Sequence, residues 1–344
     1  MQPRCWIHTW DPTAPKVPRS WLKHNLEMDF SSGFALCPAR GFGVLIRTTP
    51  ATVVQFDLPL VPGELPFSEF VPAGFPPRFQ NAEGLAACTA PTAALDPFLL
   101  VTHCSEDRVY IINMTTKKQV GDMFPPGFLK RPNHVTSQGC WTAVSFGIGG
   151  YKIALFRGSG QVWHYQRTLD TSHESTVEYH SITSIALDTR GNHLAMLRRG
   201  GTEVRRFDVE TGRELLPPLV ADLGHPVGCA YGENSLMVAC RSVVAVQEFG
   251  EEATLVKTSG GDGDRFTIAG FKRQIQVLHT GEAIIRAFPG SSMWLLETND
   301  TVRMNSMSPL RVAWIEAVVL AGFQRAARRA AAAPTPKRRR GRRG

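Results

Sequence analysis

The chain reads as all-β: a β-propeller of about six four-stranded blades, with a C-terminal α-helix and a disordered basic tail. Three observations predict this. Pairs of short apolar runs recur six times along the chain, each pair split by a polar or glycine turn. The 31 glycines and 24 prolines among 344 residues call for many turns rather than long helices. After Pro309 the composition changes abruptly to alanine and arginine.

Residues 1–30 form an N-terminal segment ahead of the repeats. Met1 to Trp10 carries Arg4, Cys5 and His8 and is followed by Asp11, so no long apolar run develops and no signal peptide is expected. The repeats occupy 31–308. Their first runs are Phe42 to Ile46, Phe98 to Thr102, Tyr151 to Leu155, His193 to Leu197, Ser235 to Ala239 and Met293 to Glu297. The second runs are anchored at Val53, Val109, Val162, Val204, Val243 and Val302, with successive spacings of 56, 53, 42, 39 and 59 residues. Units of this length exceed a hairpin and approach the ~40–50 residues of a propeller blade, the longer ones absorbing loops. A third strand precedes each pair: Gly33 to Cys37, Leu85 to Cys88, Trp141 to Phe146, Ile182 to Leu187, Val227 to Tyr231 and Ala283 to Phe288. The outermost strand is an exposed edge and the least regular, with Thr254 to Lys257 and Phe266 to Ala269 as candidates in the fifth unit. A blade covered on both faces by its neighbours loses the alternation of a half-exposed strand, and the nearly continuous runs FLLVT and SLMVA have that character.

The stretch Val204-Arg205-Arg206-Phe207-Asp208-Val209-Glu210-Thr211-Gly212 resembles the third strand and following turn of a WD40-type repeat, with Phe207-Asp208 at the place of the Trp-Asp pair. Val54-Gln55-Phe56-Asp57 resembles the same element, and Glu106 to Asn113 is similar to the corresponding segment of an NHL repeat. The resemblance covers roughly 31–308. It implies a platform for proteins, peptides or RNA, and it implies no active site.

Nine of the 38 basic residues lie from Arg325 onward with no acidic residue among them, so residues 1–324 hold 29 basic against 30 acidic side chains. Attraction to polyanions is therefore concentrated in the tail. Residues 309–333 have helical spacing: Pro309 starts the segment, Trp314, Val318 and Ala321 share a stripe, and Arg325, Arg328 and Arg329 crowd the end where cations suit the helix dipole. Trp314, Val318 and Phe323 also have the 1-5-10 anchor spacing of helices that calmodulin-like acidic partners take up. The plainer reading lays Trp314 and Leu320 against the propeller, and a helix lying on a membrane surface is a third. Val312 to Phe323 is too short to span a bilayer, which needs about 20 apolar residues. Residues 334–344 form a basic tail in which Lys337, Arg338, Arg339, Arg340, Arg342 and Arg343 serve as a nuclear address, a nucleic-acid contact or only a solvated end.

Seven cysteines without a C-x-x-C pair read as free thiols in a reducing compartment, cytoplasmic or nuclear; Cys37, Cys88, Cys229 and Cys240 lie inside apolar runs. No catalytic, cofactor or metal residue is assigned. His103-Cys104 beside Glu106-Asp107 gathers reactive side chains, but neighbours on a strand point to opposite faces. His164, His173 and His180 bracket Glu174 and Glu178 without metal-ligand spacing. The Ser259-Gly260-Gly261-Asp262-Gly263-Asp264 stretch lacks the further ligands of a calcium loop.

The leading functional expectation is a non-enzymatic scaffold that binds protein partners on the propeller faces. An alternative is an NHL-type RNA-binding propeller that grips phosphate through Arg198, Arg199, Arg205 and Arg206 together with the tail. A third is a propeller enzyme, which would need carboxylates or histidines gathered at the central channel.

Overall fold

Strands make up most of the described chain, and they fall into six sheets. The computed structural model describes residues 6–9, 30–37, 40–48, 50–58, 63–64, 67–77, 85–88, 96–147, 151–171, 182–198, 201–220, 226–232, 235–240, 246–250, 255–259, 272–277, 282–288 and 292–297. All belong to the unit Met1–Thr301; the second unit, Val302–Gly344, lies outside the described residues, and with it the expected helix at 309–333 and the tail at 334–344.

The first sheet orders β2 (Phe30–Cys37), β3 (Phe42–Thr48), β4 (Ala51–Asp57) and β6 (Phe67–Phe70). In the second, β7 (Leu85–Cys88), β8 (Phe98–His103), β9 (Arg108–Asn113) and β10 (Lys118–Asp122) follow one another, and in the third β11 (Val135–Gln138), β12 (Trp141–Phe146), β13 (Lys152–Ser159) and β14 (Val162–Asp170). The fourth holds β15 (Ile182–Leu187), β16 (His193–Arg198), β17 (Glu203–Asp208) and β18 (Glu214–Val220); the fifth holds β19 (Pro226–Tyr231), β20 (Ser235–Cys240), β21 (Val246–Gly250) and β22 (Leu255–Ser259). The sixth begins with β23 (Lys272–Val277), β24 (Glu282–Phe288) and β25 (Ser292–Glu297) and is completed from the other end of the chain by β1 (Trp6–Thr9), with the two-residue β5 (Gly63–Glu64) beyond it.

The first five sheets are therefore meanders, as are the three leading strands of the sixth, and the first strand of each sheet neighbours the first strand of the next. The contacts run β2 to β7, β11, β15, β19 and β23, then return from β23 to β2, which closes a six-bladed ring. The closing strand differs from the rest: β1 pairs parallel with β25, Trp6 opposite Ser292 through Thr9 opposite Leu295, while every other named strand pair is antiparallel.

Burial explains why the blades need one another. β8 is buried at all six positions. Leu99 and Val101 pack with Val44, Ile46 and Val53 of the first sheet, while Phe98 and Leu100 pack with Val144, Ala154 and Phe156 of the third. Along β16, Leu194 and Met196 face the third sheet and Ala195 and Leu197 the fifth. Burying each large aliphatic side chain contributes roughly 1.5–3 kcal/mol, so a lone blade would leave a full sheet face in water.

A shared backbone clamp marks the repeat. An N–H at or just beyond the last two residues of the third strand donates to the carbonyl just before the second strand: Leu58 to Gly41 at 2.8 Å, Met114 to Pro97 at 2.9 Å, Gly158 to Cys140 at 2.8 Å and Val209 to Asn192 at 2.8 Å. In two blades a side chain organises the next turn. Asn113 Oδ1 accepts the N–H groups of Thr115 and Thr116, and Asp208 Oδ1 accepts the N–H and hydroxyl of Thr211.

The expected strands lie where the sequence puts them in units one, two and four; in unit five Val227 to Tyr231 and Ser235 to Ala239 fall on β19 and β20, while the anchor Val243 lies outside the described residues. Unit three is displaced by one strand: Trp141–Phe146 is the second strand of its sheet, Lys152–Ser159 the third, and the innermost strand is Val135–Gln138. The sixth unit shifts likewise, its innermost strand being Lys272–Val277. Of the two candidates for the outer strand of the fifth sheet, 254–257 overlaps β22, and 266–269 lies outside the described residues.

Candidate interaction surfaces

The four arginines of the RNA expectation do not gather on one face. Alternation along β16 and β17 puts Arg198 and Arg205 on the side of the fourth sheet that meets the third, beside Met196 and Phe207. Arg206, opposite Ala195, is on the side that meets the fifth sheet. Arg199 lies outside the described residues. Arg205 is committed to contacts inside the ring: Nε donates to Glu214 Oε1 at 2.6 Å, Nη2 to Glu214 Oε2, Nη1 to the Thr171 carbonyl beyond β14 at 3.4 Å, and the guanidinium lies 5.4 Å from the centre of the Phe207 ring. Two parallel N–H to carboxylate bonds of this kind are among the stronger side-chain contacts. Lys337, Arg338, Arg339, Arg340, Arg342 and Arg343, and Trp314, Val318 and Phe323 of the expected helix, lie outside the described residues.

At the β8–β9 turn, the His103 ring is only 3% exposed. Its Nδ1 lies 3.3 Å from Ser105 Oγ and its Nε2 3.9 Å from Glu106 Oε1. The Tyr110 hydroxyl donates to Glu106 Oε2, and burial first, then this carboxylate, push the phenol above its ordinary range. Arg108 pairs with Asp122 at 3.5 Å, yet burial raises the Asp122 carboxyl. Asp107 accepts from the Arg131 N–H at 2.7 Å and from Lys130 Nζ at 3.0 Å, anchoring the connection between β10 and β11 across the turn. Burial works against ionising Asp107, and the Arg131 N–H and Lys130 ammonium outweigh it, so its carboxyl stays below the ordinary range. Asp107 ties the turn to the segment leading into the third blade, and the other contacts hold it within the second.

Two surface features were not legible as such in the sequence. An aromatic cluster stands on the outer rim between the second and third sheets, where Phe128 (49% exposed) and Tyr165 (46% exposed) lie ring to ring at 5.5 Å over buried Phe156 and Phe124. On the seam between the third and fourth sheets, Arg157 and Arg167 come to lie beside the turns that carry Arg190 and Arg213. Among the described residues, no group of three or more His, Cys, Asp or Glu is placed to hold a metal ion, and no helix is long and apolar enough to cross a membrane. His164 is exposed on β14, whereas His173 and His180 lie outside the described residues.

Comparison with protein families finds no match, and comparison with curated proteins finds none. Solved structures do match. A chain from the crystal structure of a nidogen/laminin complex superposes with a TM-score of 0.51 at 12% identity, covering 68% of this chain and 81% of that one. The neighbour is itself a propeller, and at this identity the likeness is one of fold. Six radial sheets, a cyclic succession of inner strands and this neighbour define a β-propeller protein.

Proposed function

We propose that this chain is a non-enzymatic scaffold whose propeller presents inter-strand turns to protein partners in the cytoplasm or nucleus. The observation that carries the reading is the ring itself: the inner strands of six blades succeed one another in a closed circle, and the second, third and fourth blades bury both faces against their neighbours, which leaves turns and outer edges as accessible surface. His103, Glu106 and Asp107 at the β8–β9 turn are engaged in holding that turn, which fits a structural rather than a chemical role. The repeat is read as WD40/NHL-like, on the strength of the Asp208–Thr211 turn and its counterpart at Asn113. The tail, Lys337 to Arg343, serves as a nuclear address and the helix at 309–333 as a second contact.

Cross-linking and affinity capture with the full chain, beside a version ending at Pro309, test the scaffold. Partners held by the propeller persist after truncation; loss of every partner overturns the reading. Retention of RNA at physiological salt, abolished only by replacing Arg198, Arg199, Arg205 and Arg206, would instead establish the RNA-binding alternative. Glutamine at the six tail cations is expected to shift a fluorescently tagged chain from nucleus to cytoplasm, and an unchanged distribution would remove the address role.

A further inference from the structure

We infer that the seam between the third and fourth blades, at the end carrying the turns 188–192 and 209–213, is a docking site for an acidic peptide segment of a protein partner, read by Arg157, Arg167, Arg190 and Arg213. This rests on the scaffold reading and adds to it a place and a chemistry.

The four guanidinium-bearing residues are scattered in the sequence and meet through the topology. Arg157, near the end of β13, lies over the Trp141 ring with its guanidinium 5.5 Å from the ring centre. Trp141 in turn packs under the turn bearing Arg190: a Cβ placed on Gly191 would stand 3.2 Å from Trp141 Cδ1 and 3.3 Å from the Gln138 carbonyl. Gln138 Nε2 also donates to the Thr189 carbonyl at 3.1 Å. Arg167 of β14 lies along the second turn, where a Cβ on Gly212 would be 3.3 Å from Arg167 Cδ and 3.5 Å from its Nη1; Arg213 follows directly. The two turns are themselves joined by the bond from the Val209 N–H to the Asn192 carbonyl. Arg157, Arg190 and Arg213 are exposed and Arg167 half-buried.

The carboxylates of the seam are turned to internal donors. Asp188 accepts from the Asn192 N–H at 2.7 Å through Oδ1 and faces His193 Nδ1 at 3.2 Å through Oδ2. Asp208 accepts the N–H and hydroxyl of Thr211 at 2.7 and 2.6 Å. Glu210 is the exposed acid of these turns, and exposed His164 stands opposite Arg157 on β14. Among the described residues, none of the four arginines has a carboxylate partner within ion-pair distance. Guanidinium forks match carboxylates in geometry, and four of them across one seam favour several Asp or Glu side chains on a short segment. Nucleic acid fits less well, because Trp141, the aromatic ring at this spot, is 7% exposed and covered by Arg157, leaving no platform for base stacking.

The test uses the full-length chain, a fluorescein-labelled peptide of about twelve residues alternating Glu with Gly and Ser, and a mixed-sequence single-stranded RNA of about twelve nucleotides, in about 50 mM salt. Fluorescence anisotropy is expected to show the peptide bound, weakened about tenfold by R190E/R213E and less by R190Q/R213Q. Because the basic tail also attracts anions, the same comparison is made with the six tail cations replaced by glutamine, and the loss on charge reversal persists there. Equal affinity of R190E/R213E and the natural chain, or no peptide binding at all, overturns the site. Tighter binding of the RNA than of the peptide, lost with the same two arginines, overturns the peptide assignment. Either failure leaves the scaffold itself to be judged by the truncation experiment, whose partners would then be held elsewhere on the ring.

Discussion

Cys229 lies inside the packing between the fourth and fifth blades, with Ser184 Oγ 3.6 Å from its sulfur, and burial pushes its thiol up to about 12. Cys37, among the residues between the first and second blades, is pushed up to about 11 by the same cause. Both folded values stand above the ordinary value of 9.0, so the unfolded chain ionises first. The stability linked to these thiols is complete below about pH 9 and is lost as pH rises toward the folded values; Tyr231, also raised by burial, acts in the same direction at higher pH. Denaturant titrations between pH 8 and about 11 should therefore show a falling midpoint, with a shallower fall in Cys229→Ala. Maleimide labelling of the native protein should modify exposed Cys140 and spare Cys37 and Cys229 until unfolding. A second residue-scale dependence sits at Gly43, opposite Phe56 in the β3–β4 ladder. A Cβ there would stand 2.2 Å from Phe56 Cζ and 3.0 Å from Leu36 Cδ2, so Gly43→Ala should cost about 1–3 kcal/mol by denaturant unfolding. Trimming the ring as well, in Gly43→Ala with Phe56→Leu, should recover part of that loss.

Among the elements, the turn after β17 depends on one carboxylate. The Thr211 hydroxyl first, then its N–H, hold the Asp208 carboxyl below its ordinary value of 3.8, with His193 and Arg167 adding to the effect. Its contribution is present above that value and disappears as pH falls through the lower folded one, so Asp208→Ala should destabilise by about 1 kcal/mol at pH 7 and by less near pH 3. Equal losses at both pH values, measured by urea unfolding, would remove the carboxylate from the account. Such turns were readable in the sequence, as were the doubly buried second strands of the first, second, fourth and fifth units, because both leave local composition: Phe207-Asp208 before Thr211-Gly212, FLLVT, HLAML. The innermost strands of the third and sixth blades were not. VTSQ and KRQIQV carry too little apolar character to stand out, and reading the apolar pairs alone moved those two units by one strand. The placement of the arginines was hidden for a related reason. Arg205 and Arg206 are adjacent in sequence, but the pleat sends them to opposite sides of the sheet, whereas Arg157, Arg167, Arg190 and Arg213 share a seam that only the packing of two blades creates.

For the whole molecule the closure of the ring is decisive, since every blade is covered by two neighbours only if the sixth is complete. That sheet draws β23, β24 and β25 from one end of the chain and β1 from the other, and Ile7 stands between two strands, opposite Met293 in β25 and Gly63 in β5. A proline at this position removes a backbone donor and fixes φ, and within a sheet it is tolerated only at edges or bulges. β1 has strands on both sides, so Ile7→Pro should cost on the order of 3 kcal/mol, about what a helix interior loses to the same residue. The position of the damage is the sharper part of the prediction. Hydrogen exchange should quicken first in β1, β25 and β5, and next in β2 and β23, whose contact completes the inner circle, while β12, β13 and β16 remain protected because their cores lie among the second, third and fourth blades. An Ile7→Pro chain with the natural unfolding midpoint and unaltered exchange in β25 would mean that the N-terminal strand decorates a ring held shut by the β23–β2 contact alone.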